Sequence, residues 1–473
     1  MKDKLNLLTS IVPNERQLII QSMMYYAFVH FSINTFTGKE WGDGSEKEQL
    51  FNPKSLSVEQ WCQAIKDSEM TGIVITAKHH DGFCIWQTKT TEYSIKNSPY
   101  KSGKGDIIKE LSCACKKFNL KLGLYLSLWD RNSKLYGTAD YMDFYIQQLT
   151  ELLTQYGEIF MLWLDGACGA AIDGKIPMQY DFERITKTAL KYQPKIVVAN
   201  QGPDIRWVGN ESGIARAAEW NVVPADDAIK ICEEKQQENT DFKKFQKDAV
   251  KNNKDVSLNM RNIEKFNKFV WKPAEVDVSI RPGWFYHKRE DLRVKSIKKL
   301  MKIYYGAVGG NSLLLLNIPP NKKGLFCKRD VKRLKEMGDL IRLERTLEID
   351  IDSLSTTSHE KTDFPLSNLM IGDTFSPQLR GSYDLTIKFT KATVDRICIQ
   401  EDTRFSQRIE EFEIMTIADD RLTNLYKGET IGFNRIAIFV PILTDNLTIR
   451  ILRCRNEPYI KTIRVFKKGG FRP

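Results

Sequence analysis

Between residues 25 and 320, short apolar runs alternate with longer amphipathic stretches, and this alternation constrains the fold more than any other feature. The runs are YYAFVHFSI (25–33), GIVITAKHH (72–80), KLGLYLSLW (121–129), IFMLWLDG (159–166), KIVVANQ (195–201), a weaker IARAAEW (214–220), VDVSIRPGW (276–284) and SLLLLNIPP (312–320). Near-continuous apolar strands separated by helices indicate a parallel sheet covered on both faces. Eight such units suit a closed barrel; six would suit an open doubly wound sheet. The first run leads into HFSINTF, which is no glycine-rich dinucleotide fingerprint. An α/β fold of the (β/α)8 TIM-like barrel type is therefore predicted, with strand six the weakest.

The intervening stretches carry helix punctuation. Ser57 and Gln60 have capping-box spacing, Asp106 can cap IIKELSCACKKF, and YMDFYIQQLTELLTQYG sets Ile146, Leu149, Leu153 and Tyr156 on one face before Gly157. The helix KRDVKRLKEMGDLIRLERTL closes a first domain at residue 347. Beyond it the pattern turns to alternating strands such as SYDLTIKF, RIAIFVP and NLTIRILR, predicting a β-sandwich over 348–473. Residues 224–262 are strongly charged and lack core periodicity, so they read as a surface insertion.

Composition excludes several classes. No run approaches the roughly 20 apolar residues of a membrane span. Nine scattered cysteines give no disulfide framework or zinc spacing and read mostly as buried thiols. The net charge of +11 comes from lysines interleaved with acids, which describes a solvated surface and no nucleic-acid partner. The N-terminus has no apolar signal core, so the expected location is cytoplasmic, or periplasmic or secreted if a signal has been removed.

In a parallel barrel the active site lies at the C-terminal ends of the strands. Those ends read His30, His79 with His80, Trp129 with Asp130, Asp165, Asn200, Arg281 with Trp284, and Asn317. Adjacent His79 and His80 point to opposite faces of a strand, and no HxH or HExxH spacing supplies partners, so no metal or other cofactor is expected. Hydrogen bonding to a sugar or carbonyl suits them better. Of Trp41, Trp129, Trp163 and Trp284, two are expected in a pocket, where flat rings pack on sugar C–H groups. The carboxylates near strand ends are Glu40, Asp165, Glu211, Glu219 and Glu275. Glycoside hydrolysis uses two: a nucleophile and an acid/base, about 5–5.5 Å apart in a retaining enzyme. Asp165, anchored behind Trp163 on a rigid strand, suits the first role. Glu211 lies in the glycine-flanked loop GPDIRWVGNESG and can approach from the other side; Glu275 is its rival.

With these residues the chain resembles glycoside hydrolase family 29, the retaining α-L-fucosidases. The matching motifs, in order, are HFSINTF with EWGDG, TAKHHDGFCIW, GLYLSLWD, MLWLDG, GPDIRWVGNESG with AEW, DVSIRPGWFYH and LLLLNIPP. The segment ATVDRICIQEDTRFSQRIEEFEI resembles the family's galactose-binding-like C-terminal sandwich. The resemblance implies Asp165 as nucleophile and Glu211 as acid/base. It further implies His30, His79 and His80 on fucose hydroxyls, Glu40 and Trp41 lining the pocket, and Trp163 and Trp284 against the sugar. Trp129 and Arg281 complete the expected binding set. RWVGNE and IRPGWFYH resemble the subfamily that removes α-1,3- and α-1,4-linked fucose from branched glycans. A fucosylated oligosaccharide is then the expected partner. The competing expectations are a broad-specificity α-L-fucosidase, a fucose-binding protein of this fold without catalysis, and a metal-dependent hydrolase suggested by His79–His80. The sequence leaves the oligomeric state open.

Overall fold

The computed structural model describes residues 2–169, 178–217, 219–225, 266–378, 382–418 and 421–472. Ten strands belong to the first part of the chain. They are β1 (Tyr25–Val29), β2 (Gly72–Lys78), β3 (Lys121–Leu126), β4 (Ile159–Leu164), β5 (Val197–Asn200), β6 (Arg206–Trp207), β7 (Val222–Pro224), β8 (Phe269–Trp271), β9 (Ala274–Ser279) and β10 (Leu313–Asn317). Eight of them form one parallel sheet in the order β5-β4-β3-β2-β1-β10-β9-β6. A parallel bridge from Ala199 to Ile205 joins its two edges, closing a TIM-like barrel.

Seven strands match the expected runs, β9 starting two residues early at Ala274; β1 to β4 and β9 stop before the polar residues at their ends, whereas β5 and β10 include Asn200 and Asn317. Strand six is the exception: it is Arg206–Trp207, not 214–220. Ile205 turns into the barrel interior and Arg206 turns outward to Glu219, while Gly209 at φ +99° ends the strand after two residues. The small residues of IARAA have little to bury. The predicted insertion 224–262 begins inside β7, which pairs antiparallel with β8; residues 226–262 lie outside the described residues.

Alternation along each strand divides the core in two. Ala27, Ile73, Ile75, Leu122, Leu162, Val276 and Leu314 face the surrounding helices. Tyr26, Phe28, Val74, Tyr125, Trp163, Leu313 and Leu315 fill the lumen. Ile20 and Met23 of the helix Glu15–Met23 enter that inner cluster next to the start of β1. Ser57 does cap its helix at Gln60 N–H, but the Gln60 side chain bonds Phe326, so the reciprocal half of the capping box is missing. Asp106 caps as expected, at Lys109 N–H. In the helix Tyr141–Gln155 the buried face includes Leu149 and Leu153, whereas Ile146 is half-buried. Of the eight described cysteines four are buried, Cys113 is exposed and none is disulfide-bonded.

The helix Lys328–Thr346 packs so closely on the preceding structure that a Cβ at Gly338 would stand 1.9 Å from the Asp67 carbonyl oxygen. Alanine favours an isolated helix over glycine by about 1 kcal/mol, but backbone cannot yield cheaply here. Gly338→Ala is therefore expected to destabilise the protein by about 1–3 kcal/mol, read as a lower denaturation midpoint.

The C-terminal part is an antiparallel β-sandwich. Its long strands Tyr383–Glu401 and Arg435–Cys454 pair with each other through register shifts near 388–396, enclosing a separate apolar core. Phe433 joins the barrel's inner cluster, and its N–H donates to Asn311 just ahead of β10. The sandwich thus braces the end of the barrel opposite the strand C-termini. No described helix is long and apolar enough to cross a membrane.

Candidate active site

Asp165 follows β4 directly, at the C-terminal rim of the barrel. Its Oδ2 accepts from the Tyr125 hydroxyl at 3.0 Å, and its Oδ1 accepts from the Ala167 N–H at 2.8 Å. His80 Nε2 lies 3.6 Å from Oδ2, and 29% of the side chain stays exposed. The carboxylate is held yet open to the pocket. Glycine at 166 has a local cause: a Cβ there would meet Gln201 Nε2 at 2.3 Å.

The partners of the three histidines assign their tautomers. Asn317 donates its amide to Ser279 Oγ and the Trp284 carbonyl, both at 2.9 Å, so its Oδ1 must accept from His30 Nδ1 at 2.8 Å. His30 Nε2 is then a bare acceptor. Burial pushes the His30 pKa down to about 3, against the opposing pull of Asn317 and Asp165, so the ring is neutral. The Ser127 hydroxyl donates to the Trp129 carbonyl, so it accepts from His80 Nδ1, leaving His80 Nε2 facing Asp165. His79 Nδ1 accepts from Asn34 at 3.4 Å, which puts the proton on Nε2. Burial lowers the pKa of His79 and His80 as well, with Asp165 opposing at His80. Three neutral rings thus offer two acceptors and one donor, a pattern matched to neighbouring hydroxyls.

Aromatic rings wall the same space. Trp284 lies 5.1 Å from His30, and Phe285 stands edge-on to His30 and His79. Trp129 lies 5.1 Å from His80, and Trp41 meets both edge-on at 5.7 Å. Trp41 is 54% exposed and stands at the mouth. Glu40 ties this first loop to the loop after β9: Oε2 accepts from Trp284 N–H at 2.9 Å, and Oε1 pairs with His287 at 2.5 Å. Trp163 differs from the other three tryptophans. It is buried, its Nε1–H donates to Glu275, and its ring stacks on Tyr125.

The remaining expected residues separate sharply. Glu211 is half-exposed in the loop after β6, on the same rim as Asp165, and Asn210 ties that loop by accepting from Ser212 and Ile214 N–H. Glu275 lies near the start of β9, in the lumen, with both oxygens taken by Tyr26 and Trp163. Glu219 is buried between Arg206 and Arg216. Arg281, expected to bind substrate, is fully buried, with Nε on Asp330 and a terminal nitrogen on Asp291. Its charge is spent on these carboxylates, so it is a strut and not a pocket residue.

Burial pushes the Glu275 pKa up to about 7, against the Tyr26 and Trp163 bonds that favour the charged form. The folded protein therefore holds a proton that the unfolded chain releases near 4.5. The associated stability is full below that value and is lost as pH rises through about 7. Glu275→Gln is expected to remove about 3 kcal/mol of this pH dependence, seen as a flatter stability curve between these limits.

The family described as Alpha-L-fucosidase matches residues 19–345, a span that contains every barrel strand and the whole rim. The chain belongs to the α-L-fucosidase family. Alpha-L-fucosidase 1 of Arabidopsis thaliana is 34% identical over 96% of this chain and 87% of its own length. Among solved structures, a glycoside hydrolase 29 family member from an unknown rumen bacterium matches at TM-score 0.77 and 34% identity, covering 98% of this chain and 78% of that one. The Ruminococcus gnavus GH29 fucosidase in complex with fucose matches at TM-score 0.82 and 28% identity, covering 97% and 95%.

In this α-L-fucosidase family member several groups at the rim escape sequence reasoning. Tyr125, the donor to Asp165, hides in an apolar run whose hydroxyl partner lies 40 residues away. Ser127 and Ser279 fix their neighbours through equally distant contacts. The usable signal is parity: Tyr125, Ser127 and Trp129 fall on alternate positions, hence one face. Among the described residues, no group of three His, Cys, Asp or Glu is arranged to hold a metal ion.

Proposed function

We propose that this protein is a retaining exo-α-L-fucosidase that removes α-1,3- or α-1,4-linked fucose from branched glycans. In the first step an Asp165 carboxylate oxygen attacks the fucose anomeric carbon. The C1–O bond to the aglycone breaks as Glu211 donates its proton to the departing oxygen, leaving a fucosyl-enzyme ester. In the second step Glu211 takes a proton from water, whose oxygen attacks C1 and expels Asp165. The observation that carries this reading is the meeting of Asp165 with three neutral histidines whose pocket-facing nitrogens match a run of sugar hydroxyls. Phe28, Tyr125 and Trp163 close the floor, which suits a terminal sugar. Trp284, partly exposed, gives its methyl group an apolar wall, and the fucose bound by the Ruminococcus gnavus relative supports the choice of sugar.

Fucose release from a Lewis trisaccharide, an α-1,2-fucosylated glycan and an aryl fucoside tests both activity and linkage. Release is expected to be at least about tenfold faster from the trisaccharide, a difference of ~1.4 kcal/mol in transition-state binding. Equal rates on the aryl fucoside would mean broad specificity. Binding of all three without release would mean a non-catalytic fucose-binding protein.

A further inference from the structure

β9 alone among the barrel strands turns two carboxylates into the lumen. Ala274, Val276 and Val278 face the helices, whereas Glu275 and Asp277 face inward and are almost wholly buried. Buried carboxylates are costly to desolvate. The neighbouring strand β10 fills its share of the lumen with leucines. The fold by itself therefore does not call for acids on β9.

Each of these carboxylates grips one indole N–H. Glu275 Oε1 accepts from Trp163 Nε1 at 2.7 Å, while Oε2 accepts from the Tyr26 hydroxyl. Asp277 Oδ1 accepts from Trp207 Nε1 at 2.5 Å. The two indoles lead to different halves of the rim. Trp163 precedes Asp165 by two residues on β4 and stacks on Tyr125 with ring centroids 5.6 Å apart and planes 22° apart. Tyr125 in turn donates to Asp165 Oδ2 at 3.0 Å. Trp207 ends β6, four residues ahead of Glu211. The chain between them leaves along β9, with Val208 N–H donating to the Glu275 carbonyl at 2.9 Å, and enters the turn tied by Asn210.

We propose that Glu275 and Asp277 are positioning residues for the two reacting carboxylates. Glu275 sets Asp165 through Trp163 and Tyr125, and Asp277 sets the Glu211 loop through Trp207. One rigid strand thereby fixes the spacing between nucleophile and acid/base. This rests on the roles proposed above for Asp165 and Glu211.

The test compares kcat/KM on a Lewis trisaccharide and on α-L-fucosyl fluoride. Fluoride departs without protonation, so its kcat/KM depends on the nucleophile and hardly on the acid. Control variants secure the underlying reading: Asp165→Asn should lose both substrates, and Glu211→Gln the trisaccharide alone. If these controls fail, the proposed roles themselves fall. With the controls in place, Glu275→Leu is expected to lose about 10²-fold on both substrates, the scale of a small misplacement of a reacting group. Asp277→Leu should lose about 10²-fold on the trisaccharide alone. Glu275→Gln and Asp277→Asn keep a carbonyl acceptor for the indole and should stay within about threefold of wild type. Should the leucine variants not accumulate as folded protein, Trp163→Phe and Trp207→Phe delete the same two bonds from the other side. Wild-type kcat/KM in the variants that lack the bond, equal losses on both substrates for Asp277, or losses confined to KM would overturn the proposal.

Discussion

Replacing Asp165 with asparagine is expected to lower kcat/KM for a fucosylated trisaccharide at least about 10³-fold, a loss of ~4 kcal/mol in transition-state stabilisation. Asparagine keeps the shape of the side chain: its one oxygen can still accept from the Ala167 N–H, and its amide nitrogen can donate to the Tyr125 hydroxyl oxygen in place of the bond that hydroxyl gave to Asp165. The pocket should therefore remain assembled, and binding of free fucose should change little. What is lost is an anionic oxygen able to form a bond to the anomeric carbon. Loss of turnover with retained sugar binding separates chemistry from architecture. Full turnover by the variant would remove Asp165 from the proposed role.

The second large effect concerns stability. Arg281→Ala is expected to destabilise the protein by about 3–5 kcal/mol, because it removes the guanidinium paired with Asp330 and leaves a buried carboxylate without that counter-charge. Both side chains are wholly buried, with Nε 3.0 Å from the carboxylate. Burial already pushes the Asp330 pKa up to about 6 against the pull of Arg281, so without the arginine it rises further. The destabilisation should consequently shrink as pH falls and Asp330 takes up a proton. Asp330→Asn in the same background should recover part of it. Denaturant midpoints at two pH values measure this directly, and KM for the trisaccharide should hold if Arg281 is a strut.

These two residues show what was legible in the sequence and what was not. Asp165 stands out because an acid at the end of a wholly apolar strand has few purely structural explanations, and neighbouring strand ends repeat the pattern. The barrel itself is readable from strands long enough to carry a period. Strand six is not, since Arg206–Trp207 is too short for periodicity and its neighbours are set by β9, nearly 70 residues on. Arg281 occupies a strand-end position like His30 or Trp284, but its length lets the guanidinium turn back to Asp330 on a helix 49 residues later. Nothing local distinguishes it from a substrate-binding arginine. Glu275 misleads in the same way: its proximity to a strand end in the sequence window concealed that it lies at the start of β9, among Tyr26 and Trp163. Side chains whose roles depend on long-range partners are the ones that local patterns misplace.

Asp165 as the nucleophile of a double displacement is tested most directly by the anomeric configuration of a rescued product. Asp165→Gly opens space at the β face of a bound α-fucoside carrying a good leaving group, so added azide can attack there in place of the carboxylate. NMR of the product is expected to show β-L-fucosyl azide, formed only when azide is present. An α-L-fucosyl azide, or undiminished hydrolysis by the variant without azide, would contradict the assignment.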